Sequence, residues 1–141
     1  MTDLKSSIPL LTPTILQQVD QFLESIYPKS IKAGQALADV RLKNTQIRGL
    51  ENIVTSTSRF SEILNFIKNQ AGKERKRQWA EVAPVLLEQL ETLEQQAHQM
   101  SGEDAALCLE IKMRLARGWA RQVVSHYLYS AESKEETRHD A

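Results

Sequence analysis

Apolar residues recur at helical spacing along the N-terminal part of the chain. They follow Thr12-Pro13, in which a hydroxyl that can cap a helix precedes a proline suited to the first helical position, and they continue to Tyr27-Pro28. This pattern predicts a first helix between the two prolines. Residues 29–44 are less regular, and they predict either a short helix around Ile31–Val40 or a mobile linker.

A second and longer apolar series begins after Thr45. Its apolar positions cover one broad face when each residue is placed about 100° further round a helix axis. Thr45 can cap such a helix and Gly72 can end it. The sequence therefore predicts one long helix from Thr45 to about Ala71.

A further helical pattern begins at Trp79 and contains Pro84. Because proline removes a backbone donor and clashes with the preceding turn, this pattern predicts a kink or two abutting helices. Ser101-Gly102 ends the pattern, and Ser101 with Asp104 three residues later resembles a capping arrangement.

The last predicted helix runs from about Asp104 to Tyr129. Residues 131–141 have no apolar periodicity and predict a disordered tail. No stretch has the alternation of a β-strand, and 6% aromatic residues, 5 Gly and 4 Pro argue against a sandwich or barrel. The predicted fold is all-α, a compact bundle of four to five helices in which residues 1–130 form one domain.

Charge is sorted along the chain although the net charge is zero. Residues 29–77 hold 11 Lys/Arg against 4 Asp/Glu, residues 78–110 hold 7 Asp/Glu and no Lys or Arg, and residues 111–130 hold 4 Lys/Arg and no acid. Two separate basic segments can therefore build a surface for a polyanion. The acidic segment can face away from that surface or meet the basic surface of another copy.

Three arginines of the last predicted helix share one face. Arg114, Arg117 and Arg121 stand at i, i+3 and i+7, a spacing that lets their guanidinium groups follow consecutive phosphates. The alternative is a solvated face that pairs with the glutamates of the preceding helix. Lys112 falls among apolar positions, so it either extends its ammonium to the bundle edge or meets a ligand or a second subunit.

Arg48, Asn52 and Arg59 form a second candidate surface, on which Phe66 could stack against a base. The alternative is an ordinary polar helix face with one exposed aromatic ring. The run KERKR at residues 73–77 is typical of non-specific polyanion binding and also of a solubilising loop.

Candidate catalytic chemistry is sparse. The three histidines are widely separated, and the chain has neither metal-ligand spacing nor a glycine-rich phosphate loop. Cys108 falls on the apolar side of its helix, as a small core residue does. The sequence predicts no enzymatic activity, no metal and no cofactor.

The same features predict a cytoplasmic protein. One cysteine cannot form an internal disulfide, which fits a reducing compartment. The start, MTDLKSSIPLL, lacks the pattern of a signal peptide, and no apolar stretch is long enough to span a membrane.

Two segments resemble a known family. RLKNTQIRGLENIV (Arg41–Val54), above all Thr-Gln-Ile-Arg at 45–48, resembles the entry to the long helix in the small subunit of type III-A CRISPR effector complexes, the Csm complexes. LCLEIKMRLARGWAR (Leu107–Arg121) is similar to a late helix of that subunit. The equivalent subunit of a related type III variant would fit nearly as well, and the acidic helix with Pro84 has no match in the family.

The resemblance implies a non-catalytic subunit that stacks head to tail with other copies and contacts the backbone of guide and target RNA in antiviral defence. Other CRISPR effector subunits would be its partners. The resemblance assigns RNA binding to Gln46, Arg48, Lys112, Arg117 and Arg121. Charge and helical face add Arg41, Lys43, Arg59 and Arg114.

Two other classes of protein are kept as alternatives. One is a helical adaptor that binds a partner protein through an exposed surface around Lys112 and Trp119. The other is a helix-turn-helix protein that reads duplex DNA, although the chain has no short two-helix unit with a glycine turn.

Overall fold

The fold is all-α, as the sequence predicts. A computed structural model describes residues 11–140, and the side chains of residues 11–132. Within this range the structure has six helices rather than four to five. They are α1 (Pro13–Ser25), α2 (Tyr27–Asp39), α3 (Asn44–Ser56), α4 (Phe60–Lys73), α5 (Gln78–Ser101) and α6 (Ala105–Asp140).

The N-terminal pattern is confirmed, and the irregular segment after it is helical. Thr12 Oγ1 accepts a hydrogen bond from Ile15 N at 3.2 Å, and Pro13 is the first residue of α1. Residues 29–39 are not a linker, since they belong to α2, and residues 40–43 form the loop before α3. Leu37 and Ala33 of α2 are fully buried, which explains why the helix forms despite its weak periodicity.

The single long helix predicted after Thr45 is wrong. The chain leaves helical geometry at Thr57, which is extended, and Thr57 Oγ1 accepts a hydrogen bond from Arg59 N at 3.1 Å. A hydroxyl that bonds the backbone locally competes with the helix ladder, and this ends α3. The start also differs, because Gln46 Oε1 accepts from Lys43 N at 2.8 Å and Lys43, not Thr45, is the capping position.

The acidic segment forms one helix, not two. Pro84 lies inside α5, which continues from Gln78 to Ser101 without interruption. Gly102, at φ 62°, follows the last residue of α5, as the sequence predicts. Ser101 does not take part in the predicted capping arrangement, because it is the last residue of α5. Asp104 caps α6 without it, since Asp104 Oδ1 accepts a hydrogen bond from Leu107 N at 3.0 Å.

The last helix is longer than predicted. α6 continues through Asp140 rather than ending near Tyr129. Residue 141 and the side chains of residues 133–140 lie outside the described part, and the disorder of residues 131–141 stays a prediction.

The core is organised around α6, which contacts each of the five other helices. Its buried residues belong to one continuous apolar cluster that includes Trp119 of α6 and Trp79 of α5. α2 makes the most extensive contact with α6, and Gly34 lies at the closest approach. This packing fixes which loops meet at each end of the bundle.

Candidate nucleic-acid interface

Two loops that are far apart in sequence meet at one end of the bundle. Gln78, the first residue of α5, donates through Nε2 to the carbonyl oxygen of Val40 at 2.7 Å and to that of Arg41 at 3.2 Å. Gln46 Nε2 of α3 donates to Glu74 Oε2 at 3.1 Å. The α2–α3 loop and the α4–α5 loop are therefore held together by side-chain hydrogen bonds.

Two further contacts fasten these loops to the core. Glu74 Oε1 accepts from Trp79 N at 2.8 Å, so both oxygens of this carboxylate are used within the bundle. The hydroxyl of Tyr127 in α6 donates to the carbonyl oxygen of Leu42. Burial raises the pKa of Tyr127 above its ordinary value, and the hydroxyl therefore keeps the proton that it donates.

This arrangement collects positive charge at one place. The basic end, as we name it, consists of six exposed cationic side chains: Arg41, Lys43, Lys73, Arg75, Lys76 and Arg77. Across the described residues none of the six forms an ion pair. Glu74 is the acidic residue among the α4–α5 loop positions, and its oxygens are already engaged. Among residues 11–132, whose side chains are described, the basic end thus presents cations without an ionic partner to solvent.

Arg41 and Arg77 have an unusual backbone. They lie at φ 63° and φ 61°, and they are the two non-glycine residues with positive φ in the described range. L-residues with a β-carbon are disfavoured in this left-handed region. The two strained positions flank the hydrogen-bonding side chain of Gln78, one in each loop.

Arg48 and Gln46, which the family resemblance singles out, stand beside the basic end in the first turns of α3. Arg48 pairs with Glu51 at 3.0 Å, and its side chain is 59% exposed. An exposed pair of this kind is weak, so a phosphate can replace the carboxylate. Gln46 is different, because both ends of its amide serve the loops.

Arg59 lies away from the basic end. It follows the C-terminus of α3, about 20 Å along the axis from the start of that helix at 1.5 Å per residue. Its guanidinium pairs with Glu62 at 2.6 Å. The structure thus separates Arg59 from Arg48, with which the sequence grouped it.

Phe66, the proposed stacking ring of that second surface, belongs to the core margin. Its ring meets that of Trp79 edge-on, with centroids 5.9 Å apart, and it also lies against Gly49. Since both neighbours cover it, Phe66 is not the exposed platform that the sequence suggested.

The three arginines of α6 differ in environment. Arg114 and Arg121 are exposed, whereas Arg117 is half-buried and donates through Nη2 to the carbonyl oxygen of Thr57 at 3.4 Å. The Nε atom of Arg117 is buried and has no partner among the described residues. In the part of the chain with described side chains, none of the three pairs with the glutamates of α5.

Lys112 and Trp119 do not form an exposed surface, and this corrects the adaptor alternative. Trp119 is 1% exposed and donates through Nε1 to Gln89 Oε1 at 2.8 Å. The Lys112 ammonium lies 3.1 Å from Glu94 and 5.3 Å from the ring centroid of Phe60. Its side chain is 15% exposed, so this cation is engaged inside the bundle.

Catalytic groupings are not apparent in the range with described side chains. It contains no cluster of three or more His, Cys, Asp or Glu residues able to hold a metal. Cys108 is buried, and its Sγ lies 3.5 Å from His98 Nδ1. None of the helices in the described part is long and apolar enough to cross a membrane.

Comparison of the chain with family models, with curated proteins and with solved structures finds no match. The geometry of the basic end and the two sequence motifs are therefore the observations that bear on function.

Sequence reasoning missed the full extent of this site. Arg41 and Lys43 were predicted to bind RNA. The run at residues 73–77, which supplies the other four cations, was compatible both with polyanion binding and with a solubilising loop. The signal that joins the two groups is Gln78, whose amide bonds a loop 37 and 38 residues earlier in the chain. Nothing in the sequence pattern marks that contact.

Proposed function

We propose that this protein binds the phosphate backbone of RNA through its basic end, as a non-catalytic small subunit of a type III CRISPR ribonucleoprotein. The observation that carries the proposal is the meeting of six exposed cations from the α2–α3 loop, the last residue of α4 and the α4–α5 loop. Cations that neutralise phosphates release counterions, which supplies affinity without reading the base sequence.

The motif resemblance supports the assignment to a ribonucleoprotein subunit. Thr45–Arg48 forms the first turns of α3, directly after the basic loop that contains Arg41 and Lys43. Leu107–Arg121 forms the first half of α6, where Arg114 and Arg121 are exposed. The departure from the resemblance is the break after Ser56, which makes α3 shorter than the long helix expected.

Head-to-tail stacking of copies is part of the proposal, and the distribution of acids supports it. α5 leads from the basic end to the α5–α6 turn, about 36 Å away at 1.5 Å per residue. That turn carries Glu103 and Asp104, both exposed. A basic end and an acidic turn at opposite ends of one helix can pair between successive copies.

The test removes two charges from the basic end and compares the result with an equal loss elsewhere. Arg75→Ala with Lys76→Ala should weaken binding to a labelled single-stranded RNA about tenfold at moderate salt. It should also lower the slope of log affinity against log salt by about 1.4, since each lost phosphate contact removes about 0.7. Fluorescence anisotropy over a salt series measures both quantities.

The matched control is Lys29→Ala with Lys32→Ala. Both lysines are exposed on α2, about 13–18 Å from Arg41 along that helix. This variant has the same net charge as the first, so we expect it to bind nearly as the wild type does. Equal weakening by the two variants would mean that net charge, and not the basic end, governs binding.

A further inference from the structure

Arginine occupies two backbone positions that suit glycine or asparagine. Arg41 and Arg77 have positive φ, and Gly102 is the third described residue of this kind. At Gly102 the chain uses the residue without a β-carbon, as expected. At the other two positions it accepts strain.

Contacts within the described residues do not explain why arginine, rather than glycine, occupies these two positions. Both are exposed, and neither makes an ion pair or a side-chain hydrogen bond with the described residues. The fold uses only their backbone, since the Arg41 carbonyl accepts from Gln78 and the Arg77 carbonyl accepts from Glu81 N at 3.1 Å. Glycine could make both contacts.

The end of α2 requires the left-handed backbone at Arg41, since Arg41 N donates to Ala38 O at 3.0 Å and Leu42 N donates to Leu37 O at 3.3 Å, as in a Schellman cap. It does not require an arginine side chain there, and residues with disfavoured backbone angles cluster at ligand sites.

We infer that Arg41 and Arg77 form a preorganised clamp for the phosphates of a nucleic-acid backbone, and that Gln78 is the residue that positions it. This inference rests on the proposed function, and it names the contact residues within the basic end.

The geometry explains why Gln78 matters. Its amide bonds the backbone of the Arg41 loop, and its own backbone follows Arg77 directly. A single residue therefore fixes the relative placement of the two backbone positions from which the arginine side chains extend. Two loops that are held together before binding lose less conformational entropy on binding than two independent loops would. Guanidinium also suits phosphate, because it donates two parallel hydrogen bonds.

The test replaces each arginine by the residue that its backbone favours. Arg41→Gly and Arg77→Gly should each weaken RNA binding about tenfold, because each removes a charge-assisted contact. Each should also raise the melting temperature by about 2–4 °C, since glycine relieves the left-handed strain. Anisotropy with a labelled single-stranded RNA and thermal denaturation give the two readouts.

Arg75→Gly is the matched control. Arg75 lies in the same loop as Arg77 and has the same charge, but its φ is not positive. Here glycine adds unfolded-state entropy without relieving strain, so the melting temperature should fall slightly. We expect its affinity to fall only about twofold to threefold, since Arg75 is not next to the Gln78 contact that joins the two loops and acts as an ordinary exposed cation.

Gln78→Met tests whether the hydrogen bonds of Gln78 position the two arginine-bearing loops, and it changes no charge. It removes the hydrogen-bond donor at similar side-chain length, and it should weaken RNA binding about fivefold although all six cations remain. Unchanged affinity in Arg41→Gly and Arg77→Gly, with normal binding by the wild type, would overturn the clamp and leave the basic end in place. Absence of RNA binding by the wild type would overturn both proposals.

Discussion

At Gly34 the absence of a side chain allows α2 to lie directly against α6. A β-carbon added there would stand 2.7 Å from the carbonyl oxygen of Val123 and 2.8 Å from the nitrogen of Tyr127. Both are backbone atoms of a helix, which cannot move aside as a flexible side chain can. The contact between α2 and α6 therefore depends on this glycine.

Gly34→Ala should lower the free energy of unfolding by about 2–3 kcal/mol, since overpacking forces the two helices apart. Urea denaturation followed by circular dichroism measures the change. Gly72→Ala is the matched control, because nothing lies within 4 Å of its added β-carbon and the position is inside α4. There alanine should stabilise by about 0.5–1 kcal/mol. Equal effects at the two positions would contradict the close approach.

Residue-level prediction from sequence succeeded where the signal is local. Thr12 before Pro13 identified the start of α1, because capping depends on neighbours three residues away. Lys112 illustrates the limit. Its position among apolar residues was visible in the sequence, but its partners Glu94 and Phe60 lie on other helices.

The boundary between α3 and α4 shows why two helices were predicted as one. Val54 and Phe60 are both buried, so the apolar face continues across the break and helical periodicity alone cannot locate it. The hydroxyl of Thr57 decides the outcome through its bond to Arg59 N. The run Thr55–Ser58 was the available sequence signal, since such residues favour helix ends over interiors.

Tyr127 links α6 to the loop before α3, and its effect on stability should depend on pH. Burial raises its pKa above 10.0, so the neutral hydroxyl is the form that the folded state favours. The stability that it contributes is complete below the unfolded pKa of about 10 and is lost as pH rises through the folded value.

Tyr127→Phe should lower the free energy of unfolding by about 1–2 kcal/mol near neutral pH, because the buried carbonyl of Leu42 loses its donor. Above about pH 10 the difference between variant and wild type should shrink. Denaturation curves at neutral and alkaline pH measure both effects. A difference that stays constant or grows at alkaline pH would contradict the assignment.

At the scale of the whole molecule, the net charge is zero, but basic and acidic side chains are concentrated in different parts of the chain. The sequence predicted two basic segments and an acidic one between them, and α5 with its following turn carries six of the seven acids of that segment. What could not be predicted is that the loops at residues 40–43 and 74–77 meet. Their contact depends on how α2, α3, α4 and α5 pack, and pattern along the chain does not record that packing.

Binding of RNA by the basic end can be tested by purifying the tagged protein from its own host, beside the Arg75→Ala, Lys76→Ala variant. If the proposal is right, short RNAs that share a repeat-derived 5′ end, and other subunits of a type III effector complex, will purify with the wild type. The variant should retain less RNA. A wild-type protein that purifies without RNA, whether alone or with an unrelated partner, would show that the proposed function is wrong.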